Sequence, residues 1–278
     1  MSRRQRLHGV PSGSDLNAYN IGVLSESRIF IAMRDCSMDK MRDINANSLS
    51  QLHDQLRKFD ISVRSRSEGR KTEHTEQWCI CRLLATMSEH QELHYPVCMH
   101  HRDPDRPDFE IKSGENVIGI EVTEAVPQNL TSTDALAEQE GIDGVLDLSK
   151  YNLGDDKKPA KELRNILAND ERGPGWGDNG PEKGWARDIW LKCKEKTSKL
   201  RDPGFTMFPE NWLLIRDELP YIVRKPEVAR PLLSDHLKPY WNETGVFNAI
   251  VVDCGQEIIK VTPRDTCSWN VCDLWPNV

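Results

Sequence analysis

Two stretches of alternating side chains near the middle of the chain predict a β-hairpin. Residues 106–111 and 117–124 alternate in the manner of strands, and residues 112–116 form a Gly-containing loop between them. Successive strand residues point to opposite faces. Pairing the two strands can therefore bring Asp108 and Glu121 together on one side of a hairpin whose other side is apolar.

Asp108 and Glu121, the paired acids of this predicted hairpin, are expected to bind a positively charged partner. Carboxylates at the buried end of a sheet are costly unless they bind something positive. A divalent metal is the partner that the pattern favours, because hard cations prefer carboxylate oxygen. The alternative is an ordinary half-buried hairpin with a charged rim, and the two strands alone do not separate the two interpretations.

Residues 72–90 predict a helix that carries an acid on its apolar face. Its apolar stripe at helical spacing consists of Ile80, Leu83, Leu84 and Met87. Glu76 projects onto the middle of that stripe, one turn before Ile80. The alternative for Glu76 is a first-turn acid that the helix dipole favours.

A second helix, predicted at about residues 183–200, carries a lysine on its apolar face. Its stripe consists of Trp185, Ile189, Cys193 and Leu200. Lys196 falls inside the stripe, Lys192 borders it, and Lys194 faces solvent. An inward lysine needs a partner, and the hairpin carboxylates are natural ones. The alternative is that the aliphatic stem covers apolar surface while the ammonium group reaches water.

The remaining pattern alternates helices and strands. Apolar runs predict buried strands at residues 211–216 and 245–253, with a helix between them at residues 226–243. Residues 258–262 predict a strand that pairs with the run at 245–253. A further short strand is expected at residues 93–97 or within the long insertion.

The chain divides into an extension and a larger domain. Residues 1–71 predict a polar and basic N-terminal extension, partly flexible, with a short capped helix at residues 48–59. Residues 72–278 are expected to form the domain. An insertion at about residues 127–182 interrupts it, carries two short helices and ends in a Gly- and Pro-rich segment.

Charge is unevenly distributed between these parts. Residues 1–71 hold 13 Lys and Arg against 8 Asp and Glu, whereas the rest of the chain is acidic and brings the net charge to −7. An acidic domain argues against a broad, passive phosphate-binding surface. It does not exclude nucleic acid, since an acidic metal site contributes charge that the metal offsets. The basic extension could add attraction, or it could be a solvated linker.

Composition predicts a cytoplasmic protein with no membrane partner. No stretch of the sequence approaches the apolar length of a membrane span, and no apolar region follows the N-terminal arginines. The eight cysteines do not form a short secreted framework, so a reducing compartment is the simpler interpretation.

A zinc site is an alternative use of the central cysteines and histidines. Cys98, His100 and His101 lie close together, with Cys79 and Cys81 upstream. Structural zinc sites usually show two pairs of closely spaced ligands. The irregular spacing here favours a segment with incidental Cys and His.

The hairpin and the two helices together resemble the core of the PD-(D/E)XK nuclease superfamily, which has a restriction-endonuclease-like fold. Pro107-Asp108 matches the PD element, and Glu121-Val122-Thr123 falls at the (D/E)XK element, with Thr123 in the position of the usual lysine. The resemblance covers roughly residues 72–262. It implies an α/β fold in which helices flank a central mixed β-sheet with an αβββαβ core.

The resemblance also implies a metal-dependent nuclease that hydrolyses phosphodiester bonds in nucleic acid, with DNA expected. Mg²⁺ or Mn²⁺ would be the cofactor, and its implied ligands are Asp108, Glu121, the carbonyl of Val122 and Glu76, the last directly or through water. Lys196, or Lys192, would supply the positive charge that position 123 lacks.

Two other functional classes stay open. The missing lysine at Thr123 is compatible with a catalytically inactive relative that binds nucleic acid or a protein partner. The second class is a metal-free structural or interaction protein in which these charges occur by chance. Convergence of the acids with an inward lysine in the folded chain would discriminate against that second class.

Overall fold

The structure is a computed structural model that describes most of the chain from residue 41 onward. The described residues are 41, 43–64, 69–142, 146–168, 175, 177–221 and 224–275. Residues 1–40, 42 and 65–68 of the predicted extension, and residues 173, 174 and 176 of the Gly- and Pro-rich segment that ends the insertion, lie outside these ranges.

The described strands form one mixed sheet in which spatial order follows chain order. The strands are β1 (Ile44–Ala46), β2 (Val97–His101), β3 (Phe109–Ser113), β4 (Asn116–Ala125), β5 (Glu210–Asp217), β6 (Ala249–Asp253), β7 (Glu257–Val261) and β8 (Thr266–Asn270). The central pairs β4–β5 and β5–β6 are parallel, and the outer pairs are antiparallel. Parallel neighbours require crossover connections, and helices supply them here.

The α-helices of the described chain cover both faces of this sheet. They are α1 (Leu49–Leu56), α2 (Thr72–Glu89), α3 (Gln128–Glu140), α4 (Ala160–Ala168), α5 (Gly180–Thr197) and α6 (Pro226–Leu237). Short 3₁₀ turns lie at Leu148–Lys150, Ser198–Arg201 and Tyr240–Asn242. The predicted α/β class with a central mixed sheet flanked by helices is confirmed.

Alternation along the central strands divides the core in two. On β5, Trp212 and Leu214 pack with α1 and α2, whereas Leu213 and Ile215 pack with α5 and α6. Each fully buried aliphatic side chain of this kind contributes roughly 1.5–3 kcal/mol relative to exposure. The continuous apolar runs are thus explained by a central sheet that is covered on both faces.

Most predicted elements are confirmed, with shifted boundaries. The predicted strand at residues 93–97 was wrong: β2 begins only at Val97, because Pro96 has no N–H to donate to a neighbouring strand. The first hairpin strand begins at Phe109 and not at residue 106. The helix predicted at residues 226–243 ends at Leu237, two residues before Pro239, which has no N–H to continue the helical hydrogen bonds.

The described part of the predicted extension joins the sheet and the core. β1 pairs with β2, and Ile44 and Leu52 are completely buried. The predicted capped helix is confirmed as α1, whose N-cap Ser48 accepts a hydrogen bond from the Gln51 backbone N–H at 3.3 Å. The tail after β8 also packs on the core, since Trp275 is buried there.

Within the described ranges, no helix combines the length and the apolar composition needed to cross a membrane.

A buried ion pair ties α2 to the end of β6. Arg82 Nε donates to Asp253 Oδ2 at 2.9 Å, and the Asp253 side chain is 0% exposed. The Arg82 guanidinium also lies 4.3 Å from the centroid of the Trp78 ring. Arg82→Met is expected to lower the free energy of unfolding by about 3–5 kcal/mol, because it leaves the Asp253 charge buried without its partner.

Urea denaturation measures this effect, and Arg57→Met is the matched control. Arg57 pairs with Asp54 at 3.3 Å, and both side chains are exposed. Exposed pairs contribute little, so the control should unfold at nearly the wild-type urea concentration. Equal losses in the two variants would contradict the assignment of Arg82 as a structural anchor.

Candidate metal-binding site

The site forms where β4 continues past the start of β3. The two strands pair only as far as Phe109 opposite Ile120, so residues 121–125 of β4 have no β3 partner on that side. Asp108 directly precedes β3 and turns its side chain toward this free edge. Its Oδ2 accepts a hydrogen bond from the Val122 backbone N–H at 2.7 Å.

A glycine lets the chain before Asp108 approach β4 closely. A Cβ atom on Gly119 would lie 2.8 Å from Pro107 Cγ and 2.5 Å from Phe208 Cδ2. Any larger residue would displace one of these rings. Gly119 thus permits the packing that holds Asp108 against the β4 edge.

The structure brings the predicted acids Asp108 and Glu121 into one buried corner. Glu121 is only 2% exposed. Burial, followed by the negative charges of Glu121 and Glu76, raises the pKa of Asp108 to about 7 against the opposing effects of the Val122 N–H and Lys196. The fold therefore brings several negative charges together at this corner, and the cations of the protein do not fully neutralise them.

Lys196 is the lysine of α5 that reaches this corner. Its Nζ donates to Glu121 Oε1 at 3.1 Å and to the Val122 carbonyl at 3.4 Å. Lys192 instead pairs with Glu195 at 2.7 Å, and Lys194 pairs with Glu243. Of the two lysines predicted for the site, Lys196 is brought to it and Lys192 is not.

Glu76 approaches the site from the first half of α2. Its Oε2 lies 3.5 Å from His101 Nε2, and the hydrogen bond with Glu76 raises the pKa of His101. The sequence offered His101 only as a candidate zinc ligand and did not place it beside Glu76, because the strand before the hairpin was predicted four residues too early. The signal was present, since Val97 and Met99 alternate with polar residues up to His101.

A cleft opens beside these side chains. Its volume is about 220 Å³, and the first turns of α2, residues 122–124 of β4 and Lys196 line it. Arg70 and Glu124 form an ion pair at its rim. Thr123, at the position of the usual lysine, also lines the cleft but carries no charge.

The residues present fit a hard divalent cation. The two carboxylate oxygens of Glu121 differ in their contacts. Oε1 accepts a hydrogen bond from Lys196, whereas Oε2 is buried with no hydrogen-bond partner in the described structure. A buried carboxylate oxygen without a partner is costly. Together with the Asp108 carboxylate and the Val122 carbonyl, it offers the all-oxygen donor set that Mg²⁺ and Mn²⁺ prefer.

Glu76, Asp108 and Glu121 are the predicted acid ligands, and their spacing is wider than that of a preformed three-ligand cluster. Among the described residues, one group of three His, Cys, Asp or Glu side chains has ligand atoms all within 4.8 Å of one another, and it is His53, Glu89 and Cys272. Glu76 does not form such a group with Asp108 and Glu121.

The zinc alternative considered for the central Cys and His residues is not formed in the described chain. Cys79 and Cys81 are completely buried in the core, where burial raises the pKa of both thiols. His100 pairs with Asp43 at 2.8 Å, and His101 contacts Glu76. Strand and helix geometry separates side chains that are close in sequence.

Comparison with known proteins finds no matching family model, no matching curated protein and no matching solved structure. The functional assignment therefore depends on the chemistry and geometry of the site itself.

Proposed function

We propose that the protein is a metal-dependent nuclease that hydrolyses phosphodiester bonds in nucleic acid, with DNA as the proposed substrate. The observation that carries the proposal is the convergence of Asp108, Glu121 and Lys196 in one buried corner, where Glu121 Oε2 has no hydrogen-bond partner in the described structure. The cytoplasm is the proposed compartment, on the composition of the chain.

The order of the elements supports the proposal. From α2 the chain runs through β2, β3 and β4 and then, after the insertion with α3 and α4, through α5 and β5. This is the αβββαβ order that the resemblance to PD-(D/E)XK nucleases implies. In that order, the two proposed ligands Asp108 and Glu121 come from the β3–β4 hairpin, and Lys196 comes from the helix that follows.

Asp108, Glu121 and the Val122 carbonyl would hold Mg²⁺ or Mn²⁺, with Glu76 in contact directly or through water. When bound, the cation would stabilise negative charge on phosphoryl oxygens and lower the pKa of a coordinated water. Asp108 keeps its orientation through the Val122 N–H, and Glu121 keeps its orientation through Lys196. The ligands are thus held in place before any cation binds.

Lys196 would act on the attacking water. Its ammonium has three N–H donors, and two of them bind Glu121 Oε1 and the Val122 carbonyl. The third can hold a water beside the proposed ligands and stabilise charge that develops on the phosphate. Lys196 would thereby replace the lysine that is absent at Thr123.

Clustered cations at the same corner support an anionic substrate. The positive charge of Lys196, followed by burial and the charge of Arg106, lowers the pKa of Lys199. Cations held close together repel one another, and a phosphate backbone relieves that repulsion. The attraction is local, which is compatible with the acidic charge of the domain as a whole.

Incubation with plasmid and single-stranded DNA tests the proposal. We expect cleavage with Mg²⁺ or Mn²⁺ and none with EDTA. A matched Glu121→Gln sample excludes contaminating nuclease. If Mg²⁺ or Mn²⁺ binds but neither DNA nor RNA is cleaved, the protein is instead a catalytically inactive module of this fold that binds nucleic acid or a protein partner.

A further inference from the structure

Three potential metal ligands from distant parts of the chain meet at the C-terminal end of α2. His53 comes from α1, Glu89 is the last residue of α2, and Cys272 lies in the tail after β8. Their ligand atoms all lie within 4.8 Å of one another. Glu76 and Glu89 are separated by about 20 Å along α2, at 1.5 Å per residue. The cluster is therefore independent of the proposed nuclease site.

Hydrogen bonding determines which nitrogen of His53 is free. The Ser88 hydroxyl donates to the Ala85 carbonyl at 2.7 Å, so its oxygen accepts from His53 Nε2 at 2.8 Å. The proton of the neutral ring therefore lies on Nε2, and Nδ1 carries a lone pair. A hydrogen-bonded ring nitrogen opposite the free one is the usual arrangement for a histidine that binds metal.

The free nitrogen of His53 points at a carboxylate without bonding to it. Nδ1 lies 3.8 Å from Glu89 Oε1, which is beyond hydrogen-bond distance, and His53 is only 4% exposed. Burial lowers the pKa of His53 against the opposing charge of Glu89. A lone pair that faces a carboxylate is unfavourable unless a cation lies between them.

The thiol is held at this point by the protein itself. The Cys272 backbone N–H donates to the Thr86 hydroxyl of α2 at 3.1 Å. Three residues later, Trp275 is buried in the core. The tail therefore lies against α2 through contacts that need no metal, and the three ligands are brought together in advance.

We propose that His53, Glu89 and Cys272 form a Zn²⁺ site that fastens the C-terminal tail to α1 and α2. Thiolate sulfur, imidazole nitrogen and carboxylate oxygen form a donor set that suits zinc, whereas Mg²⁺ prefers oxygen alone. Glu89 is half exposed, so water can complete a tetrahedral site. On binding, the Cys272 thiol releases its proton to solvent and no electron transfer is required.

Arg57 is a cation whose charge acts on both His53 and Cys272. Burial, Glu89 and Asp273 raise the pKa of the Cys272 thiol against the opposing charge of Arg57. Burial lowers the pKa of His53, where Arg57 acts in the same direction and Asp54 opposes it. Arg57 and Asp54 pair with each other at 3.3 Å on the exposed side of α1. Their charges offset each other, which leaves Glu89 and the Cys272 thiolate to neutralise the metal.

Co²⁺ spectroscopy of the full-length, metal-free protein tests the site directly. We expect one equivalent of Co²⁺ to give a thiolate-to-cobalt charge-transfer band that Zn²⁺ abolishes by displacement. Asp108 and Glu121 offer no sulfur, so the nuclease site cannot produce this band, and the two proposals fail separately. Cys272→Ser and His53→Gln should lose the band. Cys267→Ser, which changes another half-buried cysteine, should keep it.

Thermal unfolding and thiol labelling complete the test. At a Zn²⁺ concentration about a hundred times the Kd, Tm should rise by roughly 5–10 °C in the wild type and in Cys267→Ser but not in Cys272→Ser. Zn²⁺ should also slow alkylation of Cys272, and this measurement can be made on the wild type without any variant. Absence of the charge-transfer band from the folded wild type, or unchanged alkylation of Cys272, would overturn the proposal.

Discussion

Asp108→Asn is expected to abolish metal-dependent cleavage and to stabilise the metal-free protein. Asn keeps an oxygen that can accept from the Val122 N–H, at present 2.7 Å from Asp108, but it removes the charge. Loss of a charged metal ligand should reduce cleavage by more than about a hundredfold. The same change relieves the repulsion between Asp108 and the buried Glu121.

The stabilisation by Asp108→Asn should depend on pH in a defined direction. Burial and neighbouring acids raise the pKa of Asp108 from 3.8 to about 7, so the folded state holds this proton more tightly than the unfolded chain. The contribution of Asp108 to wild-type stability therefore falls as pH rises from about 4 to 7. Asn cannot ionise, so its advantage should be small near pH 4 and should reach about 2–4 kcal/mol at pH 8.

Urea unfolding of the metal-free proteins at both pH values measures this difference. Added Mg²⁺ should stabilise the wild type at pH 8 and should leave Asp108→Asn unchanged. The exposed neighbour Asp105 provides the control, and Asp105→Asn should behave as the wild type in cleavage and unfolding. A variant at Asp108 that is fully active would show that the cleavage resides elsewhere.

Lys196→Met is expected to abolish cleavage and, without metal, to destabilise the fold. Met keeps an apolar stem but leaves Glu121 as a buried charge without the ammonium that now lies 3.1 Å from Oε1. Loss of one partner of a buried pair typically costs about 3–5 kcal/mol. Bound Mg²⁺ should restore part of the stability, because it neutralises Glu121, but it should not restore cleavage.

A double variant isolates the structural role of Lys196, since Glu121→Gln alone is already expected to be inactive. Lys196→Met combined with Glu121→Gln should recover stability, since no buried charge is left unpaired, yet should remain inactive. Single-turnover cleavage and urea unfolding measure the two properties independently. Recovery of cleavage in the double variant would contradict a catalytic role for the ammonium.

The other lysines of α5 provide matched controls on the same helix. Lys194→Met should be close to wild type, because Lys194 pairs with Glu243 at a partly exposed position. Lys192→Met should also retain cleavage, since its partner Glu195 lies outside the site. If Lys192→Met alone were inactive, the catalytic role would belong one turn earlier on the helix.

The long helices and the buried strands could be predicted from the sequence alone. The 3.6-residue period predicted the bounds of α2 and α5 closely, because many apolar side chains of each helix lie on the same face. The inward direction of Lys196 followed from that period, and the structure places its Nζ against Glu121. Apolar runs likewise predicted β5 and the β6–β7 hairpin, since a strand covered on both faces must be apolar throughout.

Short elements were less well determined. β2 has only five residues, so its alternation of side chains is too short to be recognised with its correct bounds. Its first residue is set by Pro96 and not by a change in hydrophobicity. His101 was not placed beside Glu76 for that reason. The approach of Glu76 to His101 depends on how α2 packs across the sheet, which no local pattern encodes.

Only the tertiary structure decided which groups share a site. Cys98, His100 and His101 are close in sequence, yet strand geometry gives the two histidines different partners. His53 and Cys272 lie near opposite ends of the described chain, yet both reach Glu89. Side-chain direction is a local property of a helix or strand, whereas proximity is set by packing between elements, and packing decides which ligands can meet.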